Sequence, residues 1–144
     1  MRVQDIMTSD PACCRPDSSI VEAARLMAEK DCGALPVVDE TGAPVGVVTD
    51  RDICCRGVAE GKSGETRVSE VMSSDVLTVA PEDDVSTCCN RMEERQVRRA
   101  VVTDGAGKCC GIVAQADVAR EADSAETAEL VRDVSAPRER GGCC

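Results

Sequence analysis

The segment Gly46-Val47-Val48-Thr49-Asp50-Arg51-Asp52-Ile53 decides the fold, because the chain repeats its pattern 65 residues later as Gly111-Ile112-Val113-Ala114-Gln115-Ala116-Asp117-Val118. The same shift aligns the two halves of the chain without a gap, and identical or similar residues recur throughout the aligned stretch. A single register held over such a length is typical of internal repetition. The chain therefore contains two copies of one supersecondary unit.

Each copy is predicted to contain a helix, two strands and a second helix. In the first copy, Asp17 or Ser18 is the expected N-cap of a helix whose apolar residues recur at helical spacing. Two short β-rich runs, 35–38 and 45–48, flank a turn that contains glycine, and this pattern predicts a β-hairpin. Helical spacing returns from Asp50 onward.

The second copy follows the same plan, and the polar stretch between the copies has the composition of a linker. The predicted segments are residues 1–59 (first copy), 60–67 (linker), 68–122 (second copy) and 123–144 (a tail that begins as a weak helix and ends in disorder at 137–142). We expect an α+β fold of the α/β type, with two units related by a pseudo-twofold axis, each with a small sheet and two helices. The units should pack through their sheets, because one unit of this size is only marginally stable alone.

The amino-acid composition excludes most enzyme chemistry. The 144 residues include no His, Phe, Tyr or Trp. The chain therefore has no histidine general base, no Ser-His-Asp or Cys-His pair, no histidine metal ligand and no aromatic platform for stacking bases. It also shows neither a P-loop nor the usual spacing of metal ligands. We expect no catalytic residue, no metal site and no enzyme activity.

The charge balance argues against a polyanionic partner. The chain has 17 basic and 27 acidic side chains and a formal net charge of −10, whereas nucleic-acid binding needs clustered cations. No run of 18 apolar residues occurs, so we expect no membrane span. The charged start of the chain lacks the apolar centre of a signal peptide, and this favours a cytoplasmic protein.

Cysteine is unusually frequent. Of the 11 cysteines, ten form adjacent pairs and Cys32 stands alone. The favoured interpretation is that cysteine serves as a small apolar core residue in a chain without aromatic side chains. Metal binding or redox chemistry is the second interpretation, although neighbouring residues on a strand point to opposite faces and chelate poorly. A disulfide framework is the third, and it would need an oxidising compartment.

Two phrases in each copy closely resemble the CBS domain, the module named after cystathionine β-synthase that occurs in tandem as a Bateman module. They are 33–39 and 46–53 in the first copy and 96–104 and 111–118 in the second. The segments that lead into the copies, which start at Val3 and Val68, also match the usual beginning of this module. The resemblance covers about residues 2–121, and the chain looks most like the small stand-alone bacterial CBS pairs.

The resemblance implies two clefts between the copies that bind adenosine-containing ligands such as AMP, ATP or S-adenosylmethionine. In the family, an Asp accepts hydrogen bonds from both ribose hydroxyls, and a Thr or Ser contacts the ribose or the phosphate. The opposite copy flanks the adenine and brings basic groups to the phosphate. The matching residues here are Gly46, Thr49 and Asp52 for the ribose, Val76 and Leu77 for the adenine, and Val97, Arg98 and Arg99 for the phosphate.

Two structural alternatives remain open for this main cleft. Thr49 and Asp52 have the spacing of a capping box, which closes a helix N-terminus without any ligand. Arg98 and Arg99 have the composition of an ordinary solvated pair, although arginine also offers a bidentate fork to phosphate oxygens. Capping and ligand binding are compatible roles.

The second cleft departs from the family pattern. Ala114 stands where Thr or Ser is expected, so Asp117 has no hydroxyl partner. The opposing strand start, Cys32-Gly33-Ala34, carries no cation for a phosphate, and Ala12 would flank the adenine. We expect this cleft to bind weakly, to prefer an uncharged nucleoside, or to be empty.

The predicted function is a non-catalytic regulatory module that senses an adenosine-containing ligand, with no cofactor apart from that regulatory ligand. By resemblance, we expect a homodimer. Two other functions stay open: a thiol-based metal-binding or redox-sensing protein, and a reduced-alphabet structural variant of a CBS pair without ligand function.

Overall fold

The protein was analysed as a computed structural model that describes residues 1–121 and 124–135. In chain order the helices and strands are α1 (Val3–Ile6), β1 (Thr8–Ser9), α2 (Ile20–Lys30), β2 (Ala34–Val38), β3 (Pro44–Thr49), α3 (Asp50–Asp52), β4 (Thr78–Val79), α4 (Val85–Arg95), β5 (Arg99–Thr103), β6 (Cys109–Ala114), α5 (Gln115–Glu121) and α6 (Ser124–Val134). Helix α3 continues as the π-helical turn Ile53–Gly57, and two further helical turns, Val58–Glu60 and Val68–Glu70, are of the 3-10 type. The predicted mixture of small sheets and helices is confirmed.

The chain divides into two compact units that exchange the leading segments of the two copies. The first-copy unit contains residues 12–76, and the second-copy unit contains residues 1–11 together with the described residues from 77 onward. The leading segment of the first copy, residues 1–11, thus belongs to the second-copy unit, and the leading segment of the second copy, residues 68–76, belongs to the first-copy unit. The sequence repeat and the compact unit therefore do not share boundaries.

In the second-copy unit, the strands form a four-stranded sheet in the order β1-β6-β5-β4. Strands β5 and β6 form the predicted hairpin, β4 runs parallel to β5, and β1 pairs antiparallel with β6. One core lies under this sheet and receives two residues of α6, Leu130 and Val134. The other buried core members are Val3, Ile6, Leu77, Val79, Val85, Cys88, Cys89, Met92, Ala100, Val102, Val113 and Val118.

In the first-copy unit, β2 and β3 form the equivalent hairpin. Two isolated bridges take the places of the outer strands: Cys14 pairs parallel with Val37, and Ser73 pairs antiparallel with Val47. The 65-residue shift relates these pairs to those of β4 with β5 and of β1 with β6. The buried core of this unit consists of Cys14, Ile20, Ala23, Met27, Leu35, Val37, Val48, Ile53, Val68 and Val71.

The predicted N-cap of α2 is wrong by one or two residues. The structure has Ser19 at this position, where its side chain accepts a hydrogen bond from the Glu22 backbone N–H. The Ser18 hydroxyl instead accepts from the Arg15 N–H at 3.1 Å, so it is engaged in the preceding turn. Asp31 ends the helix in a left-handed conformation with φ of 52°.

The tail after α5, predicted to begin as a weak helix, forms helix α6 and packs side chains into the second-copy core. Helix α6 buries Leu130 completely and leaves Val134 only 4% exposed. The predicted disorder of residues 137–142 lies outside the described residues. In the part of the chain that the structure describes, every helix is too short or too polar to cross a lipid bilayer.

Candidate functional site

The first copy forms a sharp corner where β3 passes into α3. Thr49 is the N-cap in an extended conformation. Its hydroxyl accepts a hydrogen bond from the Asp52 N–H at 3.1 Å, and its own N–H donates to Asp52 Oδ2 at 2.9 Å. This reciprocal pair is a capping box, so the structural role foreseen for Thr49 and Asp52 is confirmed.

The capping box leaves one carboxylate oxygen of Asp52 open. Within residues 1–121 and 124–135, the Asp52 carboxylate is hydrogen-bonded to Thr49 alone, and this bond uses Oδ2. Arg56, one helical turn farther along, donates to the carbonyls of Val71 and Met72 at 3.3 and 3.4 Å instead. Oδ1 of the half-buried Asp52 is therefore able to accept a hydrogen bond from a ligand hydroxyl.

The equivalent corner in the second copy is closed. Asp117 Oδ2 accepts from the Ala114 N–H at 2.8 Å, which reproduces half of the capping box. Ala114 has no hydroxyl to return the bond. Asp117 Oδ1 accepts from the Arg120 guanidinium in an ion pair, and only 12% of the Asp117 side chain is exposed. Both oxygens of this carboxylate are engaged within the protein.

The glycine that begins the repeated segment, Gly46 in the first copy and Gly111 in the second, has a steric role. A Cβ atom on Gly46 would lie 2.6 Å from Met72 Sδ and 2.9 Å from the Ser73 carbonyl oxygen. A Cβ atom on Gly111 would meet the equivalent Met7 Sδ and the Thr8 carbonyl oxygen, the latter at 3.2 Å. Glycine is needed here because the exchanged segment passes directly over the strand. A ligand contact by Gly46 stays a prediction.

The arginine pair lies in the second-copy unit, apart in the chain from Asp52. Arg99 is half-buried and begins β5, where it pairs in register with Ala114. Arg98 is exposed, and its carbonyl accepts from the Gln115 N–H at 3.0 Å. Within their own unit, the two arginines therefore adjoin the corner that contains Ala114. Their predicted contact with the phosphate of a ligand held by Asp52 stays a prediction.

The apolar residues predicted for the main cleft, Val76 and Leu77 at the adenine and Val97 at the strand entry, differ in exposure. Val76 is half-buried in the first-copy unit, whereas Leu77 is only 2% exposed and packs in the core of the second-copy unit. Val97 is partly buried against that same core. The structure thus gives Leu77 and Val97 packing roles, and their contact with a ligand stays a prediction.

The residues predicted for the second cleft are also divided between the units. Ala114 and Asp117 lie in the second-copy unit, and the others lie in the first-copy unit. Ala34 pairs in register with Thr49, and the Gly33 carbonyl accepts from the Asp50 N–H at 3.0 Å. The exposed Cys32 precedes them, and Ala12 packs partly buried against the first-copy core.

Three of the nine cysteines among the described residues, Cys14, Cys88 and Cys89, lie buried in the two cores. Burial raises the pKa of Cys14 to about 11 and that of Cys88 to about 11. Cys89 is 3% exposed in the same core as Cys88. With these raised pKa values, the Cys14 and Cys88 thiols are protonated near neutral pH and are poor nucleophiles and poor metal ligands. The favoured interpretation of cysteine as a small apolar residue holds at these three positions.

An acidic cluster between α4 and α6 was not predicted from the sequence. One carboxylate oxygen each of Glu93, Glu129 and Asp133 lies within 4.8 Å of the others. Burial, and then the negative charges of Glu129 and Asp133, raise the pKa of Glu93. Glu93 and Asp133 also line a shallow groove of about 450 Å³ together with Asn90, Glu94 and Gln96. These residues lie on two separate helices, and only the fold brings them together. The sequence predicted α6 only as a weak helix, so it gave no reason to expect this cluster.

The role of Arg120 was not predicted either. Its spacing of three residues from Asp117 on one helix is a visible sequence signal for an ion pair. The first copy has Cys55 at the equivalent position, so a comparison of the copies at this residue would have found the difference.

Comparison with known proteins identifies the fold and the family. The family model described as "CBS domain" matches residues 3–56 and 68–124. The CBS domain-containing protein YhcV of Bacillus subtilis is 40% identical over 126 residues, which are 88% of this chain and 89% of YhcV.

Two solved structures show what similar proteins bind. The CBS domain pair of protein MJ0100, crystallised with 5-methylthioadenosine and S-adenosyl-L-methionine, is 29% identical with a TM-score of 0.75, and the match covers 83% of this chain and 98% of that one. Hypoxic Response Protein I, crystallised with two coordinated zinc ions, is 32% identical with a TM-score of 0.75, and the match covers 85% of this chain and 100% of that one.

Proposed function

The chain belongs to the CBS domain family, and we propose that it is a non-catalytic regulatory module that binds an adenosine-containing ligand through Asp52. The observation that carries this proposal is the capped Asp52 carboxylate, whose Oδ2 is held by Thr49 while Oδ1 has no partner among the described residues. A fixed carboxylate with an open oxygen suits the paired hydroxyls of a ribose. The adenosine ligands of the MJ0100 pair support this ligand class.

The proposal requires no catalytic group. The chain has no His, and the buried thiols Cys14 and Cys88 have raised pKa values. Neither a general base near neutral pH nor an activated nucleophile is thus available at these positions. Binding without turnover is consistent with these observations, and the module is regulatory if its bound and free forms differ in shape.

Ligand binding is tested by calorimetry and thermal unfolding with adenosine, 2′-deoxyadenosine, AMP and S-adenosylmethionine. A ligand that binds only the folded form raises the melting temperature. At a free ligand concentration of about 100 times Kd, binding adds about 2.7 kcal/mol to the free energy of unfolding. We expect adenosine to bind at least about tenfold more tightly than 2′-deoxyadenosine, because the deoxy sugar leaves a partly buried acceptor without its donor.

Asp52→Asn should remove this discrimination. Asparagine retains an oxygen for the Thr49 N–H but replaces the open carboxylate oxygen, so the capping interaction survives while the acceptor is lost. Glu40→Gln is the matched control, because Glu40 is an exposed carboxylate away from the corner. Equal binding of adenosine by the wild type and Asp52→Asn would contradict the proposal.

The arginine pair makes a separate prediction within this function. If Arg98 and Arg99 contact a phosphate, their double replacement by Gln should weaken AMP binding and leave adenosine binding unchanged. Equal losses for AMP and adenosine would indicate instead that the arginines support the fold of their unit.

Zinc binding is the second candidate function, favoured by the zinc-bound structure of Hypoxic Response Protein I. The thiols described above give this candidate little support. Metal analysis of protein purified without chelators, combined with thiol titration, tests it: tightly bound zinc that protects thiols from the reagent would favour the second candidate over the first.

A further inference from the structure

The two copies differ at the residue three positions beyond the ribose-binding Asp. In the second copy this residue is Arg120, which pairs with Asp117 Oδ1. In the first copy it is Cys55, and the nearby cation, Arg56, donates to the carbonyls of Val71 and Met72. Among the residues that the structure describes, Asp117 therefore carries an internal cation and Asp52 does not.

The ion pair engages the oxygen that a ligand would need. The Ala114 N–H already uses Asp117 Oδ2, so a ribose hydroxyl has only Oδ1 as an uncapped acceptor. The Arg120 side chain is 69% exposed, whereas that of Asp117 is 12% exposed. The guanidinium thus covers a largely buried carboxylate from the solvent side, and a diol must displace it before it can bind.

We propose that Arg120 is an internal competitor that closes the acceptor of the second copy, so that each chain has one working adenosine acceptor, Asp52. This inference rests on the proposed function of the Asp52 corner. By this inference, the second copy binds adenosine more weakly than the first for two reasons: Arg120 occupies the Asp117 carboxylate, and Ala114 lacks the hydroxyl of Thr49. Hydrogen bonds to charged groups are strong enough that losing this competitor should raise affinity at Asp117 by about tenfold or more.

The inference is tested in the Asp52→Asn background, where the first acceptor is removed. Adenosine binding is measured by isothermal titration calorimetry for this protein with Arg120→Ala, with Ala114→Thr, or with both changes. We expect Arg120→Ala to restore adenosine binding and the double change to restore it further. Arg25→Ala is the matched control, because Arg25 is exposed on the first-copy helix α2. Thermal unfolding without ligand verifies that each variant is folded.

Asp117→Asn separates a competitor from a structural role. Added to the Arg120→Ala protein, it should abolish the gained binding and the preference for adenosine over 2′-deoxyadenosine. Arg120→Lys should gain less than Arg120→Ala, because the ammonium preserves the charge near Asp117.

Three results would overturn the inference. The first is restoration by Ala114→Thr alone, with no further gain from Arg120→Ala. The second is a gain in Arg120→Ala that persists after Asp117→Asn. The third is adenosine binding that survives Asp52→Asn but is lost in Asp117→Asn, which would show an open second acceptor in the wild type. Because the gain is measured without Asp52, it is independent of whether Asp52 itself binds adenosine, and the two proposals can fail separately.

Discussion

The first-copy corner at Asp52 and the second-copy corner at Asp117 share one frame but differ in the partners of the carboxylate. In both, a glycine allows the exchanged segment to pass over the strand, and a backbone N–H holds Oδ2 of the aspartate. Thr49 completes the cap in the first copy, whereas Ala114 cannot, and Arg120 engages the second oxygen in the second copy. The frame is fixed by backbone geometry, while the polar side chains around it are free to diverge.

The units also differ in the segment that succeeds each copy in the chain. The polar linker 60–67 succeeds the first copy, whereas α6 succeeds the second and adds Leu130 and Val134 to its core. Among the described residues, the second-copy unit thus combines a closed acceptor with the larger core, and the first-copy unit combines an open acceptor with the smaller one. The predicted ligand acceptor and the added helix α6 thus lie in different units.

The largest effect is expected from Leu130→Ala, which removes a side chain that α6 adds to the second-copy core. Leu130 is fully buried, and such truncations cost about 2–5 kcal/mol because they remove apolar contacts and leave a cavity. Val131→Ala is the control, since Val131 is 39% exposed and should cost less than about 0.5 kcal/mol. Urea unfolding measures both. Equal costs would mean that α6 adds nothing to the second-copy unit.

A smaller effect is expected from alanine at the two shared glycines. Forcing atoms into a packed site costs about 1–3 kcal/mol. Gly46→Ala should cost more than Gly111→Ala, because the obstructing carbonyl oxygen is 2.9 Å from the new Cβ at Gly46 and 3.2 Å at Gly111. Gly105→Ala is the control, since a Cβ there meets nothing within 4 Å. The reverse order of stabilities in urea would show that the distance to the obstructing carbonyl oxygen does not decide the cost of the added methyl group.

The sequence alone was sufficient for the parts of the fold that depend on local pattern. Both hairpins lie within one or two residues of their predicted positions, because apolar alternation and turn residues specify them locally. The capping box at Thr49 and Asp52 was visible for the same reason. The N-cap of α2 was not resolved, because Asp17, Ser18 and Ser19 all have capping side chains and only the turn at Arg15 selects among them.

Features that depend on distant contacts could not be predicted. The exchange of the leading segments brings Thr8 beside Ile112, more than 100 residues away, and no local pattern encodes such a pairing. The ion pair of Asp117 and Arg120 was within reach of sequence reasoning, but whether the arginine meets the open oxygen or the solvent depends on side-chain geometry. The acidic cluster required the docking of α6 on α4, which burial of Leu130 determines.

The smallest effect on stability is expected at the acidic cluster of Glu93, Glu129 and Asp133. This cluster distinguishes the two units, because the first copy has Ala28 at the position equivalent to Glu93. Burial and the neighbouring Glu129 and Asp133 carboxylates raise the pKa of Glu93 above its ordinary value of 4.5. The folded state therefore binds this proton more tightly than the unfolded state. Stability is lost as the pH rises through the raised pKa and is regained as the pH falls below the ordinary value.

Glu93→Gln should consequently stabilise the protein at pH 7 and have almost no effect near pH 4. The gain should be below about 0.5 kcal/mol, because solvent and salt screen carboxylates at a surface. Urea midpoints at the two pH values measure it, and Glu29→Gln, at an exposed position of α2, is the matched control. An equal gain at both pH values would assign the effect to the helix propensity or packing of glutamine. A gain confined to pH 7 would show that the charge on Glu93, disfavoured first by burial and then by its acidic neighbours, opposes the docking of α6, the helix that adds Leu130 and Val134 to the second-copy core.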